Sequence, residues 1–338
     1  MAEIEMAKAD GLPNALVTGA TGFVGGNLVK ALRQKGYSVT CLVRKTSDAS
    51  PLQTESVRIV AGDLSDADAL REAGRTAVTV YHLAGAIKAA NREQYFYINQ
   101  LGTRRLLESL AEANPGLRRF VYVSSLAAAG PSTGSTGLTE DQRPSPVSWY
   151  GESKLGGERE VLKFAKTFPV TILRPSAIYG PGDRETLLIF RMIKHGWLFT
   201  PGRVDRRFSL IHVDDLAASI IGAAERDASS GEVFFVSRPE TYAWEEVGRA
   251  IARALGKNYH KVSLPGWMAE AAGFAGDTWA SLTGRPATIN SQKVKELLEP
   301  SWLCDSSKAR RSLGFDPVID LGKGITQTVR WYQSRGWL

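Results

Sequence analysis

The chain has 338 residues, 43% of them hydrophobic and 23% charged, with a formal net charge of +7. That balance suits a globular enzyme with ample chain to bury a core. Its two cysteines, Cys41 and Cys304, imply no disulfide framework and point to a reducing cytoplasm. The basic residues are scattered rather than striped, so nucleic acid is not an expected partner.

Residues 1–13 mix Glu, Lys and Asp with Ala and lack a long apolar run. They read as a disordered lead-in rather than a signal peptide, and no uncharged apolar stretch of about 20 residues predicts a spanning helix. Next come short apolar runs, many rich in Val, Ile or Tyr, at 15–18, 38–43, 57–61, 78–83, 120–124 and 170–173. Each predicts a buried strand. Helical patterns fill the gaps at 22–34, 66–73, 94–113 and 150–167. The alternation predicts an α/β fold, a Rossmann-type doubly wound parallel sheet with helices on both faces. Its domain is expected over 14–175, with the sheet completed by parts of 205–240. Beyond 176 the pattern loosens at Pro175, Pro181, Gly182, Pro201 and Gly202. Strand candidates 208–211 and 232–236 and helices 214–224 and 244–255 then predict extra sheet and a smaller substrate lobe over 176–338, built from segments.

The first strand runs into Thr18-Gly19-Ala20-Thr21-Gly22-Phe23-Val24-Gly25. Glycines spaced in this way at a strand-to-helix turn leave room for a pyrophosphate on the helix N–H groups. A tight turn alone would also ask for glycine; the position after the first strand favours a dinucleotide. At the end of the second strand stand Arg44 and Lys45, with no acid until Asp48. A guanidinium binds a 2′-phosphate where a carboxylate would repel it, so NADP is expected over NAD. A solvated loop is the bland account of the same pair. Asp63, beside Leu64 after the third strand, suits either the adenine amine or a helix cap.

Tyr150-Gly151-Glu152-Ser153-Lys154 opens a helix, and residues four apart share a helix face. An ammonium beside the phenol, together with a cationic nicotinamide ring, is expected to lower the tyrosine pKa for acid–base work on an alcohol or ketone. Ser124 and Ser125 close the fifth strand, at the sheet edge where ligands bind, and Ser125 there suits a substrate oxygen.

With these pieces in order, the sequence resembles the extended short-chain dehydrogenase/reductase family from Ala15 to about Trp331. The likeness includes Tyr81-His82-Leu83-Ala84-Gly85, Asn99 ahead of Gly102-Thr103, Leu173-Arg174-Pro175-Ser176-Ala177-Ile178-Tyr179-Gly180, Ile211-His212-Val213-Asp214-Asp215 and Ser307-Lys308-Ala309. It implies Tyr150 as proton donor or acceptor, Lys154 on the nicotinamide ribose, Ser125 on the substrate oxygen and Asn99 in the relay. It also implies Pro175, Ala177 and Ile178 against the nicotinamide, Leu83 to Gly85 beside the cofactor, and a homodimer through 94–113 and 150–167. His82 and His212 are expected to be structural, and no metal-ligand spacing is present.

The departures bear on substrate. Nucleotide-sugar relatives carry an aromatic after the catalytic serine where this chain has Ala127-Ala128-Ala129, and paired arginines where it has Lys293-Val294-Lys295-Glu296. Phe208 occupies another arginine's register, although Arg206 and Arg207 adjoin it. The carboxyl half is rich in aromatics, at Trp197, Phe199, Trp244, Trp267, Phe274, Trp279 and Trp302, with a largely apolar helix over 267–282. A hydrophobic, steroid-like or polycyclic hydroxyl/ketone substrate is expected, with peripheral membrane contact through this lobe. Alternatives are a nucleotide-sugar epimerase and a non-catalytic NADP-binding sensor, although sensors typically lose the tyrosine or lysine. For the tryptophans, a packed lobe core is the bland account.

Overall fold

The computed structural model describes residues 13–202, 206–284 and 287–338; the expected disordered lead-in lies outside the described residues except for Pro13. Six strands appear in the first half: β1 (Asn14–Thr18), β2 (Ser38–Val43), β3 (Arg58–Ala61), β4 (Thr79–His82), β5 (Arg119–Val123) and β6 (Val170–Pro175). Seven follow: β7 (Ala177–Tyr179), β8 (Trp197–Pro201), β9 (Arg207–His212), β10 (Glu232–Val236), β11 (Thr241–Ala243), β12 (His260–Leu264) and β13 (Ser301–Trp302).

The main sheet is seven-stranded, in the order β10-β6-β5-β4-β1-β2-β3, and every pairing in it is parallel. The chain starts in the middle at β1, winds out to β3, then crosses back to β4. The crevice at that reversal is where such sheets bind ligands. β4, β5 and β6 are buried along their whole length, which is why they read as continuous apolar runs. One face packs Leu28, Leu32, Val121, Leu216 and Ile220; the other packs Leu70, Leu106, Leu110, Phe120, Val161 and Ile172.

β10 completes this sheet, whereas β9 does not. The 208–211 segment, expected as extra sheet, lies in a second sheet of order β11-β9-β13 with β7 beside β9. The break after Pro175 lets β7 leave the main sheet, and this second sheet carries the lobe over the crevice. A third pair, β8 with β12, leads into two helices, Gly266–Thr283 and Ser291–Leu298. Among the described residues no helix is long and apolar enough to cross a membrane.

Candidate active site

The glycine turn lies at the switch point. Gly19 has φ +76°, and a β-carbon there would stand 2.7 Å from the Ala84 nitrogen. A β-carbon on Gly25 would stand 2.1 Å from the Gly19 carbonyl oxygen. Both positions are thus closed to any larger residue. Gly22 precedes the Phe23–Gln34 helix and no side chain caps that start. Thr21 and Gly22 are exposed, with Phe23 and Val24 half-buried behind them. A helix start left uncapped at a glycine cradle fits the pyrophosphate of a dinucleotide.

Arg44 and Lys45 are exposed at the carboxyl end of β2, and Arg44 Nε donates to Ser47 Oγ at 3.3 Å. Asp63 accepts from both the backbone and hydroxyl of Ser65, at 2.7 and 2.6 Å. Those bonds lower its pKa, and the charges of Arg44 and Arg105 add to the effect. The helix cap is Asp66, which accepts from Ala69 N at 3.1 Å. Capping is therefore not the role of Asp63. Leu64 packs against the start of the Gly102–Ala113 helix, where a β-carbon on Gly102 would meet its Cδ1 at 2.8 Å.

The Trp149–Lys163 helix begins with Ser148, whose Oγ accepts from Gly151 N. Tyr150 and Lys154 stand one turn apart on it. Lys154 is 4% exposed. Its ammonium donates to the Val123 carbonyl at 2.8 Å and lies 4.2 Å from the centre of the Tyr122 ring. Tyr150 is half-buried, and the Ser125 hydroxyl shares a hydrogen bond with its phenol. Ser125 also caps a short helix, accepting from Ala127 N at 3.1 Å. The structure thus brings Ser125, Tyr150 and Lys154 together at the carboxyl edge of β5.

Asn99 and Gly85 join them. A β-carbon on Gly85 would come within 2.9 Å of Asn99 Oδ1 and 3.9 Å of Lys154 Nζ. The predicted 94–113 helix is interrupted by a π-helical turn, Tyr97–Leu101, a form frequent at functional sites. Within that turn, Asn99 Nδ2 donates to Ser153 Oγ at 2.8 Å and to the Ala86 carbonyl at 3.0 Å, and Oδ1 accepts from Ala86 N at 2.7 Å. Ser153 in turn donates to the Tyr150 carbonyl at 2.8 Å. Leu83 and Ala84 are half-buried at the end of β4. Beyond β6, Pro175 is buried, Ala177 exposed and Ile178 half-buried.

A buried chain of bonds connects these parts. Ala84 N donates to Thr18 Oγ1 at 3.2 Å, and Thr18 lies 2.6 Å from His82 Nδ1. His82 Nε2 lies 3.0 Å from Thr103 Oγ1, which donates to the Asn99 carbonyl at 2.7 Å. Each hydroxyl donates once and accepts once if the imidazole is neutral with its proton on Nε2. Burial and the nearby Lys154 charge push His82 down to about 3, in keeping with that form. His212 likewise accepts from Asp214 N at 3.3 Å, at the start of the next helix.

The protein's own groups do not by themselves produce the expected drop in the tyrosine pKa, which also called for a cationic nicotinamide ring. Burial pushes Tyr150 up to about 12; the Ser125 bond lowers it, while the charges of Glu296 and Tyr95 raise it. Lys154 is itself pushed down to about 7 by burial, with Glu158 opposing. Burial thus favours the neutral amine, so near neutral pH the lysine carries only part of its positive charge.

Sequence reasoning missed Glu296 and Gln292, which reach the start of the catalytic helix from the far lobe. It also missed the buried pair Glu158–Arg174, with bonds of 2.9 and 2.6 Å, to which Ser124 donates at 2.6 Å. Spacing of four between Gln292 and Glu296 was the one local signal. Among the described residues, no group of three or more His, Cys, Asp or Glu is arranged to hold a metal ion.

A parallel sheet with a glycine turn at its switch point and a Tyr/Lys/Ser cluster at its edge defines an NAD(P)-dependent enzyme of the short-chain dehydrogenase type. The chain belongs to the NAD dependent epimerase/dehydratase family, which it matches over residues 15–237. It is 34% identical over 322 residues, 95% of each chain, to a ceramide reductase of Caulobacter vibrioides. It is 29% identical to sterol demethylase protein B of Methylococcus capsulatus, covering 96% of this chain and 99% of the relative. The solved structure of MoeE5 in complex with UDP-glucose and NAD superposes with a TM-score of 0.76 at 28% identity, over 95% of this chain and 99% of that one.

Proposed function

We infer that the protein is an NADP(H)-dependent oxidoreductase that interconverts a hydroxyl and a ketone on a hydrophobic, sterol- or ceramide-like substrate. The observation that carries this reading is the convergence of Ser125, Tyr150 and the buried Lys154 beside an uncapped glycine turn. Tyr150 gives its proton to the carbonyl oxygen in reduction and recovers it in oxidation, while the Ser125 hydroxyl donates a hydrogen bond to that oxygen. Lys154 holds the nicotinamide ribose. Asn99 steadies the first turn of the catalytic helix through Ser153. Gly19, Thr21, Gly22, Phe23, Val24 and Gly25 take the pyrophosphate, and Leu83, Ala84, Gly85, Pro175, Ala177 and Ile178 flank the nicotinamide. Bound there, the dinucleotide supplies or accepts the hydride, and its oxidised ring adds the positive charge that the desolvated Lys154 lacks.

Arg44 and Lys45 support NADP over NAD, with Asp63 and Leu64 at the adenine. Arg44→Asp is expected to reverse the preference, read as the ratio of Kd for NADPH and NADH. An unchanged NADPH affinity would mean that the 2′-phosphate is recognised elsewhere. Similarity to a ceramide reductase and to a sterol-acting protein supports an apolar substrate, as does the exposed aromatic face of the lobe. That face also supports peripheral membrane contact, the unpaired cysteines support a cytoplasmic location, and exposed Tyr97 and Leu162 support a homodimer through their helices. The direct test is NADPH oxidation at 340 nm with a 3-ketosteroid, a 3-ketoceramide and a UDP-4-ketosugar side by side. Turnover of the sugar nucleotide alone would replace the apolar reading with the epimerase one.

A further inference from the structure

The Ser291–Leu298 helix pairs with the Gly266–Thr283 helix in a tight hairpin. A β-carbon on Gly273 would meet Val294 Cγ2 at 3.0 Å, and one on Gly276 would stand 1.9 Å from the Ile289 carbonyl oxygen. The second arm turns Gln292 and Glu296 towards the catalytic helix and leaves Lys293 and Lys295 in water. Gln292 is 6% exposed, and its Oε1 accepts from Trp149 N at 3.1 Å. Glu296 Oε1 accepts from Ser148 Oγ at 2.6 Å, while that same hydroxyl accepts from Gly151 N at 3.1 Å. Trp302 Nε1 fixes the arm from behind by donating to the Glu296 carbonyl at 2.8 Å.

These contacts fall on the first turn of a helix, where backbone N–H groups have no partner within the helix. Other starts in this chain are capped by one local side chain alone, as by Asp66 and Asp320, or by none, as at Gly22. Here Ser148 serves as the cap and in turn donates its hydroxyl hydrogen bond to a carboxylate 148 residues away. Trp149, the residue before Tyr150, also has its N–H taken by the same distant arm. That is an expensive arrangement for a surface helix, since it orders two long side chains.

We propose that Glu296, assisted by Gln292, is a positioning residue of the catalytic centre, clamping the helix start so that Tyr150 is held by an arm of the apolar lobe. The inference rests on Tyr150 being the proton-transferring group and adds what controls it. The charge of Glu296 reaches the phenols of both Tyr150 and Tyr95 and raises both. The groups facing Tyr150 are Ser125 and Tyr122 from the β5 edge, Tyr95 from the Arg92–Phe96 helix, and Glu296, with Lys154 one turn on along its own helix. Facing Glu296 are Ser148, Tyr95, Tyr150 and Lys293, whose ammonium is 3.1 Å from Oε2 but 52% exposed and so poorly placed to cancel the charge.

The test separates the clamp from the charge. Glu296→Gln keeps an oxygen for the Ser148 hydroxyl and removes the charge; Glu296→Ala removes both. The full chain, labelled with 13Cζ-tyrosine and saturated with NADP+, is titrated by NMR, with the Tyr150 signal assigned by its loss in Tyr150→Phe. In Glu296→Gln the Tyr150 midpoint is expected to fall by about 0.5 pH unit or more, with NADP+ affinity unchanged. In Glu296→Ala the midpoint should fall likewise, and the Tyr150 resonance should broaden or split as the helix start loosens. A midpoint in Glu296→Gln within 0.1 unit of the parent, or a single sharp unshifted signal in Glu296→Ala, overturns the proposal. Because no turnover is measured, failure of the oxidoreductase reading would leave this result standing, and the reverse.

Discussion

The sheet half and the helical hairpin of the far lobe solve opposite problems. In the sheet, apolar side chains point inward, and most of the polar groups around the site are matched, although the Tyr81 and Tyr122 hydroxyls are not. His82 has two threonines, Asn99 has Ser153 and Ala86, and Glu158 has Arg174 and Ser124. In the Gly266–Thr283 helix the polarity is inverted. Its buried residues are Gly273 and Ala280, while Trp267, Phe274 and Leu282 are 67%, 74% and 81% exposed. Burying a side chain of that size is worth about 1.5–3 kcal/mol, and the fold forgoes it several times over on one face. Part of the molecule buries its large apolar side chains, and part leaves them on the surface.

On this contrast the largest effects of mutation belong to the sheet half. Tyr150→Phe is expected to cut kcat by 10²–10⁴-fold, the usual span for a removed general acid, while NADPH Kd stays within about twofold. Activity within a few-fold of the parent would take the phenol out of the chemistry. Next comes Glu158→Leu, which leaves Arg174 buried, 5% exposed, and unpaired. A loss of about 3–5 kcal/mol in urea unfolding is expected, and Glu158→Leu/Arg174→Met should recover most of it. A double variant no better than the single one would mean that Ser124 and the helix contact, rather than the charge pair, hold that seam.

A smaller effect tests the His82 chain by pH. The folded pKa of about 3 lies below the ordinary 6.5, so between those values the unfolded chain binds the extra proton. Stability from His82 is therefore complete above about pH 6.5 and is lost as pH falls towards 3, at up to about 1.4 kcal/mol per pH unit. In the window from 6.5 to 5, His212, also lowered by burial, adds to the slope and Glu140, raised by burial, opposes it, so the comparison is between the parent and His82→Gln. Glu160, held down to about 2 by Arg104 and Lys163, acts lower. His82→Gln should flatten that slope. An equal slope in both proteins would assign it elsewhere.

The same contrast explains what was legible beforehand. β1 and the strands paired with it could be read because continuous Val, Ile and Tyr runs have few other uses, and the glycine turn because only glycine tolerates the approach of Ala84 to Gly19. Ser125, Tyr150 and Lys154 could be named, but their proton affinities could not, since these depend on burial and on Glu296 from far along the chain. The π-helical turn at Asn99 was hidden inside a helical pattern, because one extra residue in a turn barely alters apolar spacing. The departure of β9 to a second sheet was hidden because a strand does not announce its partner. The hairpin was hidden for another reason: a helix with small residues on one side and large apolar ones on the other does not say which side faces inward.

The smallest expected effect on the fold is therefore the most informative about the hairpin. Starting from Trp267, steps of 100° per residue put Phe274, Ala271, Leu282, Ala275, Met268 and Trp279 on one half of the helix surface, while Glu270 and Asp277 fall on the other half. Asp277 accepts from Ser291 N, so it belongs to the hairpin seam, and Thr278 turns its hydroxyl back to the Phe274 carbonyl. A face without charge or outward hydrogen bonds suits a fluid apolar surface better than a protein partner, whose interfaces carry a polar rim. Phe274→Ser/Leu282→Ser should change unfolding free energy by about 0.5 kcal/mol or less, while co-sedimentation with phosphatidylcholine–phosphatidylglycerol vesicles falls at least fivefold. Val294→Ala, at the 3%-exposed seam, should do the reverse, costing roughly 1–2 kcal/mol and leaving vesicle binding of the folded fraction intact. A double serine variant that unfolds early would mean the aromatic face packs within the lobe after all, and the inverted polarity would then need no external partner.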